Sequence, residues 1–392
     1  MQVSTILHEL FSSSIHKTRL KSLITIVNGV IKSKKLQLSQ LGRCLNGQAK
    51  ERSGIRLIDR FLSNQFYQRE SLLIYRSICS RVLKHTATPD IVVDWSSIPN
   101  SQYYCEGKEQ CLLRAVFPAP GRGITLYEEI HPKSKENNPH IHRNFLNNLK
   151  SVLPPESKPC LITDAGFKNP WFKSVLAMGW DYVGRVRGIT QYDAGGGFYA
   201  IKTVFSQATN KARYLGFWAI AKTNVLLHHV VLYKGTPKGR HQMTKTKKPA
   251  QGKDSRKYSA SWREPWFLVT SLEEVKEHPN LARIKYKRRM TIEENFRDTK
   301  STRYGFSFDN NITFKPERYT VWLLLAAIAS LIAWITGASA EKLKLHYDFQ
   351  ANSYKHRRVL SFFYLGCQLI RKKINVETHW EIILEEHNTC SS

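Results

Sequence analysis

The stretch IVVDWSSI, residues 91–98, decides how this chain is read. Four β-formers and a tryptophan surround one aspartate, Asp94. Isoleucine and valine in such a short run specify a strand rather than a helix. Upstream, HTATPD (85–90) closes a region of helical periodicity. Downstream come LLRAVFPA (112–119), ITLYEEIHP (124–132), a helical stretch around 140–152, PCLITDAG (159–166), a helix from about 169 to 178, and WDYVGRVRG (180–188). Three strands close in sequence, followed by alternating helix and strand, predict a mixed sheet with an α/β core.

That order is the order of a ribonuclease H-like core. We expect an α/β fold with a mixed five-stranded sheet and flanking helices, interrupted by a mainly β insertion, with helical N- and C-terminal regions. The expected segments are 1–85, helical; 86–188, the first part of the core; 189–262, the β-rich insertion; 263–318, the second part of the core; and 319–392, a helical C-terminal region. Within the insertion, RYLGFWAI and VLLHHVVLY read as strands of a separate antiparallel unit, and GGG (195–197) as a loop. The run 234–257 holds nine Lys and Arg with one Asp and reads as a mobile basic loop.

The chain has 392 residues, with 60 Lys and Arg against 31 Asp and Glu, a formal net charge of +29. Apolar content of 42% excludes a disordered polycation, so the charge points to a polyanionic partner, nucleic acid before membrane. Seven scattered cysteines with no CxxC pair signal neither a disulfide framework nor a zinc site, as expected for a reducing cytoplasm. VWLLLAAIASLIAWITGA (321–338) is long enough to cross a bilayer but reads as a buried core helix, and no membrane partner is expected.

In the N-terminal region, LSQLGRCL leads with Ser39 as an N-cap. A second helix follows, with an apolar stripe of Ile55, Leu57, Ile58 and Leu62 and with Lys50, Arg52, Arg56 and Arg60 around it. The pair fits either a helix-turn-helix-like DNA reader or an ordinary helical bundle.

Three carboxylates stand out. Asp94 and Asp164 each follow an apolar run, and the carboxyl ends of strands in open α/β sheets are where ligands bind. In a ribonuclease H-like sheet the first and fourth strands are neighbours, which would bring the two aspartates together and call for a divalent cation between them. Hard oxygen donors suit Mg2+ or Mn2+. The third lies in YKRRMTIEENFRDTK (286–300), read as part of one helix from about 280 to 300 capped by Asn280. On such a helix Tyr286, Arg289 and Lys300 fall within roughly 60° of Glu293, and Ile292 and Phe296 seat it on the sheet. Glu293 is then the ligand and Glu294 a solvated neighbour. Taken singly, a strand-end Asp is a turn former and a Glu in a basic helix an ion-pair partner. Their joint occurrence in this order is what points to a site.

Tyr286-x2-Arg289-x3-Glu293-x6-Lys300, with VDWS around Asp94 and DAGFKNPWF after Asp164, resembles the Y-R-E-K signature and acidic blocks of DDE transposases of the insertion-sequence four family. The resemblance implies a bacterial cytoplasmic, nucleoid-associated transposase. It would bind double-stranded DNA at terminal inverted repeats, with residues 1–85 as a helical DNA-binding domain, cleave by metal-dependent hydrolysis through a hairpin, and join 3′-OH ends to target DNA as a homodimer in the synaptic complex. It assigns Asp94, Asp164 and Glu293 to catalysis and metal binding, with two Mg2+ ions or Mn2+ as substitute. Tyr286, Arg289 and Lys300 take a DNA phosphate. Trp266 aligns with a tryptophan that stacks on a flipped base; a strand-buried core tryptophan is the other reading. Arg185 and Arg187 read as strand-end phosphate contacts or as a solvated edge. Met290 stands where a relative has a second tryptophan. The rival expectations are a catalytically silent DNA-binding repressor and a nuclease that cuts without joining.

Overall fold

The computed structural model describes residues 2–45, 50–98, 101–105, 107–236, 244, 248–253, 255, 264–313, 315–351, 353–354 and 356–384. Most of the basic run 234–257 lies outside them. The chain forms two compact units, Met1–Ser157 with Met290–Ser392, and Lys158–Arg289.

The first unit opens with six helices: α1 (Gln2–Phe11), α2 (Lys17–Ser33), α3 (Leu38–Cys44), α4 (Glu51–Leu62), α5 (Gln65–Arg69) and α6 (Ser71–Val82). Leu20, Leu23, Val27, Val30 and Ile31 of α2 recur at helical spacing and are buried, as the apolar pattern requires. α3 and α4 pack closely because glycines meet: a Cβ on Gly54 would lie 2.3 Å from the Gly42 carbonyl oxygen. Ser39 is not the cap expected. α3 starts at Leu38, with extended Gln37 in the cap position and no side-chain bond. On α4, Ile58 and Leu62 are buried and Arg52, Arg56 and Arg60 exposed, as is Lys50 at the N-cap, whereas Leu57 faces out.

β1 (Asp90–Ile98), α7 (Ser101–Tyr104), β2 (Gln110–Ala119), β3 (Arg122–Pro132) and α8 (Pro139–Val152) follow. The three strands form an antiparallel meander in the order β3-β2-β1. β2 is buried along its entire length, so the run LLRAVFPA shows no polar alternation. Asn138 caps α8 by accepting from the His140 and Ile141 amides, with Pro139 in the first turn.

The second unit starts with β4 (Cys160–Thr163), α9 (Asn169–Ala177) and β5 (Asp181–Val186), a βαβ unit whose strands are parallel. β6 (Gln191–Asp193), β7 (Phe198–Ala200), β8 (Arg213–Ile220), β9 (Leu226–Tyr233), β10 (Trp266–Thr270) and α10 (Asn280–Lys287) complete it. The seven strands make one large mixed sheet ordered β4-β5-β10-β9-β8-β6-β7. The strands of the 189–262 region therefore do not form a sheet of their own. The apolar run of β9 pairs antiparallel with β10, Trp266 opposite Tyr233, and extends the sheet begun by β4 and β5. The glycine loop is as read: Asp193 Oδ1 accepts from the Gly195, Gly196 and Gly197 amides, and Gly195 and Gly197 adopt φ of +105° and +101°.

The first unit resumes with α11 (Met290–Lys300), α12 (Pro316–Lys342) and α13 (Phe362–Arg371). The single helix expected over 280–300 is thus two helices. The Arg288 amide bonds back to the Lys285 and Tyr286 carbonyls and Arg289 to Tyr286, a tightened last turn that ends α10. Asn280 is the first helical residue rather than the cap, a place held by Pro279. α12 is long and apolar enough to cross a membrane, yet 94% of its most apolar window is buried. It packs on α13, α2 and β3. Gly337 and Gly366 let α12 and α13 touch backbone to backbone: a Cβ on Gly366 would lie 1.8 Å from the Ala333 carbonyl oxygen.

Candidate active site

In the first unit the site is built on a row across the meander. Asp94 on β1 stands opposite Arg114 on β2, and Arg114 opposite Glu128 on β3. Directly opposed residues share a face, so this polar row lies under one side of the sheet. Asp94 sits within β1 rather than at its end, where the strand passes from the buried Ile91–Val93 to half-buried residues. Its Oδ1 accepts the Trp95 amide at 2.8 Å.

α11 lies on that meander. Arg114 is fully buried and spends its guanidinium in two directions: Nε and Nη2 on Glu128 Oε2 at 2.7 and 2.6 Å, Nη1 on Asn295 Oδ1 at 2.5 Å and Thr299 Oγ1 at 3.1 Å. The Asn295 amide donates to the Gly123 carbonyl at 2.7 Å. Phe296 packs beneath Arg114 and Lys300, ring centroid 5.0 and 5.6 Å from their charged groups. Lys300 ties the end of α11 to β1, donating to Ser96 Oγ at 2.7 Å and to the Ser97 carbonyl. Burial lowers its pKa to about 8. Glu293 is left exposed in the first turn of α11. Glu294, expected as a solvated neighbour, is half-buried and pairs with Arg122 at 3.5 Å and with Arg297. Arg122 also holds Asp298 at 2.7 Å, whose carboxyl burial pushes up to about 6. Arg114 and Asn295 escaped the reading of the sequence; an arginine inside the buried run LLRAVFPA was the signal that a partner carboxylate must lie alongside.

In the second unit Asp164 directly follows β4, its Oδ1 accepting the Gly166 amide at 2.8 Å as a turn former does. α10 packs on β4, β5 and β10. It brings Tyr286 into this neighbourhood: the phenol is buried, bonded to Arg185, and its pKa is raised by burial, opposed by the charges of Arg289 and Arg185 and helped by Asp164. Trp266 is half-buried, edge-on to Tyr286 at 4.9 Å and tilted against Tyr233 at 5.5 Å. Arg185 and Arg187 are not a solvated edge. Glu264, absent from the expected site, accepts from Arg187 Nε at 2.6 Å and Nη2 at 2.5 Å, with Arg185 Nη2 at 3.5 Å.

The three carboxylates are thus divided, Asp94 and Glu293 in one unit and Asp164 in the other. Each offers hard oxygen donors of the kind a divalent cation takes. Among the described residues no group of three or more His, Cys, Asp and Glu is already gathered as a metal cage.

A comparison with curated proteins finds no match. Among solved structures, a piggyBac transposase synaptic complex with hairpin DNA, seen by cryo-EM, is similar at 11% identity and a TM-score of 0.42, covering 99% of this chain and 81% of that one. The profile of the transposase DDE domain matches residues 85–332. That match runs through more than half of the sequence and through the Asp94, Asp164 and Glu293 blocks alike, and by it the chain belongs to the DDE transposase family.

Proposed function

We propose that this chain is a cut-and-paste transposase of the insertion-sequence four family, near the transposase of insertion sequence ten, that cleaves transposon ends and joins their 3′-OH groups to target DNA. The observation that carries this reading is the match over residues 85–332, which contains every member of the acidic triad and the Y-R-E-K residues. The core is ribonuclease H-like in this reading, supported by the β1-β2-β3 meander in one unit and the parallel β4-α9-β5 in the other.

DDE transposase domains generally use divalent metal ions. Asp94, Asp164 and Glu293 would hold two Mg2+ ions, or Mn2+ in their place, supplying the Lewis acidity that activates water and stabilises a leaving 3′ oxygen. Tyr286 and Arg289 grip a phosphate of the DNA end, and Lys300 joins them by exchanging its bonds to Ser96 and Ser97 for a phosphate oxygen. Trp266 stacks on an unpaired base beside the cut, with a hairpin as intermediate. The exposed cations of α4 take part in recognising terminal inverted repeats, and two protomers pair two ends. The molecule works at the nucleoid of a bacterial cytoplasm.

End DNA incubated with the protein and Mg2+ tests this. Nicks, hairpins and joined products that vanish in Asp94→Asn and Glu293→Gln, with DNA binding kept, support it. Cutting without joining leaves a nuclease, and binding without cutting leaves a repressor.

A further inference from the structure

In the second unit, Arg185 lies on β5 opposite Leu268 of β10, Arg187 directly follows the end of β5, and both guanidinium groups reach Glu264 Oε2. α10 lies over the same strands and contributes the Tyr286 hydroxyl, bonded to Arg185. Two guanidinium groups meeting at one oxygen, one of them also bonded to a phenol, form an oxyanion cradle. An anion is already in it. Glu264 bonds Arg187 through both Nε and Nη2, and its backbone carbonyl lies 3.4 Å from Arg185 Nη2.

The cradle is not saturated by this occupant. Arg185 Nε is buried with no acceptor among the described residues, and an unpaired guanidinium N–H in such a place is costly. One carboxylate shared by two arginines also leaves donors that a phosphate, with more acceptor oxygens, would use. Nor is the occupant locked in. Arg187 is 35% exposed and Glu264 18%, a pair open to water and to competing ions.

We propose that Glu264 is a resident stand-in for a DNA backbone phosphate: it occupies the Arg185–Arg187 cradle in the free protein and yields to the phosphodiester when DNA binds. This rests on the DNA-binding reading above. The device gives the two cations an anionic partner without DNA, and it sets a threshold that weakly held polyanions do not cross.

Binding of fluorescein-labelled duplex DNA of mixed sequence, measured by anisotropy over a series of salt concentrations, tests it. Glu264→Gln is expected to bind roughly fivefold tighter, with a log K against log salt slope steeper by about one. Glu264→Asp, which keeps the charge but shortens its reach, is expected to gain less, with the slope unchanged. In an Arg187→Gln background, Glu264→Gln is expected to gain nothing. Glu156→Gln, at an exposed glutamate of the other unit, gives the effect of charge alone. Glu264→Gln binding no tighter than wild type, or no tighter than Glu156→Gln, overturns the proposal. So does a gain that persists when Arg187 is gone. Wild-type protein that retains no DNA even at low salt overturns the DNA-binding reading itself, a distinct result.

Discussion

Lys300 ends α11 with its ammonium 2.7 Å from Ser96 Oγ, two residues beyond Asp94 on β1. One side chain therefore links the helix that starts near Glu293 to the strand that carries Asp94. The cost is a buried cation, whose pKa falls to about 8.

That cost has a sign. Below pH 8 the ammonium is charged in folded and unfolded chains alike, and its burial penalty is fully present. Between pH 8 and the ordinary lysine value of 10.5 the folded protein sheds the proton first, and stability rises. Thermal melts of wild type and Lys300→Met across this range should differ by roughly 1–3 kcal/mol more at the upper end than at pH 7, in favour of wild type. Parallel curves would show that the amine is hydrated in solution.

Arg114 and Glu128 are 1% and 2% exposed, so removing one partner strands a buried charge. Arg114→Met is expected to cost about 3–5 kcal/mol in chemical denaturation. The double variant Arg114→Met with Glu128→Gln should recover a good part of this. Equal losses for the single and double variants would mean that Asn295 and Thr299, rather than Glu128, are the contacts that matter.

The α12–α13 contact leaves no room for a methyl group at Gly366. Gly366→Ala is expected to lower stability by about 1–3 kcal/mol, and by more if the helices cannot separate. Gly252→Ala, where an added Cβ meets nothing within 4 Å, serves as the matched control.

Metal removal separates chemistry from folding. Each unit has its own buried core and no finished cage among the described residues, so a chelator should abolish DNA cleavage while shifting Tm by less than about 2 °C. Mn2+ added back should restore cutting. A large fall in Tm would identify a structural ion.

Strands were the legible part of this sequence. β1, β2, β3 and β10 sit where β-branched and aromatic runs put them, because burial of such a run depends on local pattern. The helix break at Arg288 was not seen, for it carries neither glycine nor proline. Its signal was charge order. Lys285, Lys287 and Arg288 crowd the carbonyl end of α10, Glu293 lies in the first turn of α11, and Arg297 and Lys300 lie in its last. Cations at a helix C-terminus and an anion at a helix N-terminus are what each helix dipole selects. The adjacent glutamates in a basic segment mark that restart. Glu264 was illegible for another reason: its partners, Arg185 on β5 and Arg187 just past it, lie almost eighty residues earlier, and no local pattern reports so distant a pair.

The chain leaves the first unit after Ser157 and returns to it only at Met290. A ribosome reading through this gene thus makes Asp94, then Asp164, and withholds Glu293 until the entire second unit has been made. A nascent or truncated product ending before that return has two acidic groups and neither α11 nor α12 to cover the meander. On the transposase reading proposed above, translation order leaves the acidic set incomplete until the second unit has been made.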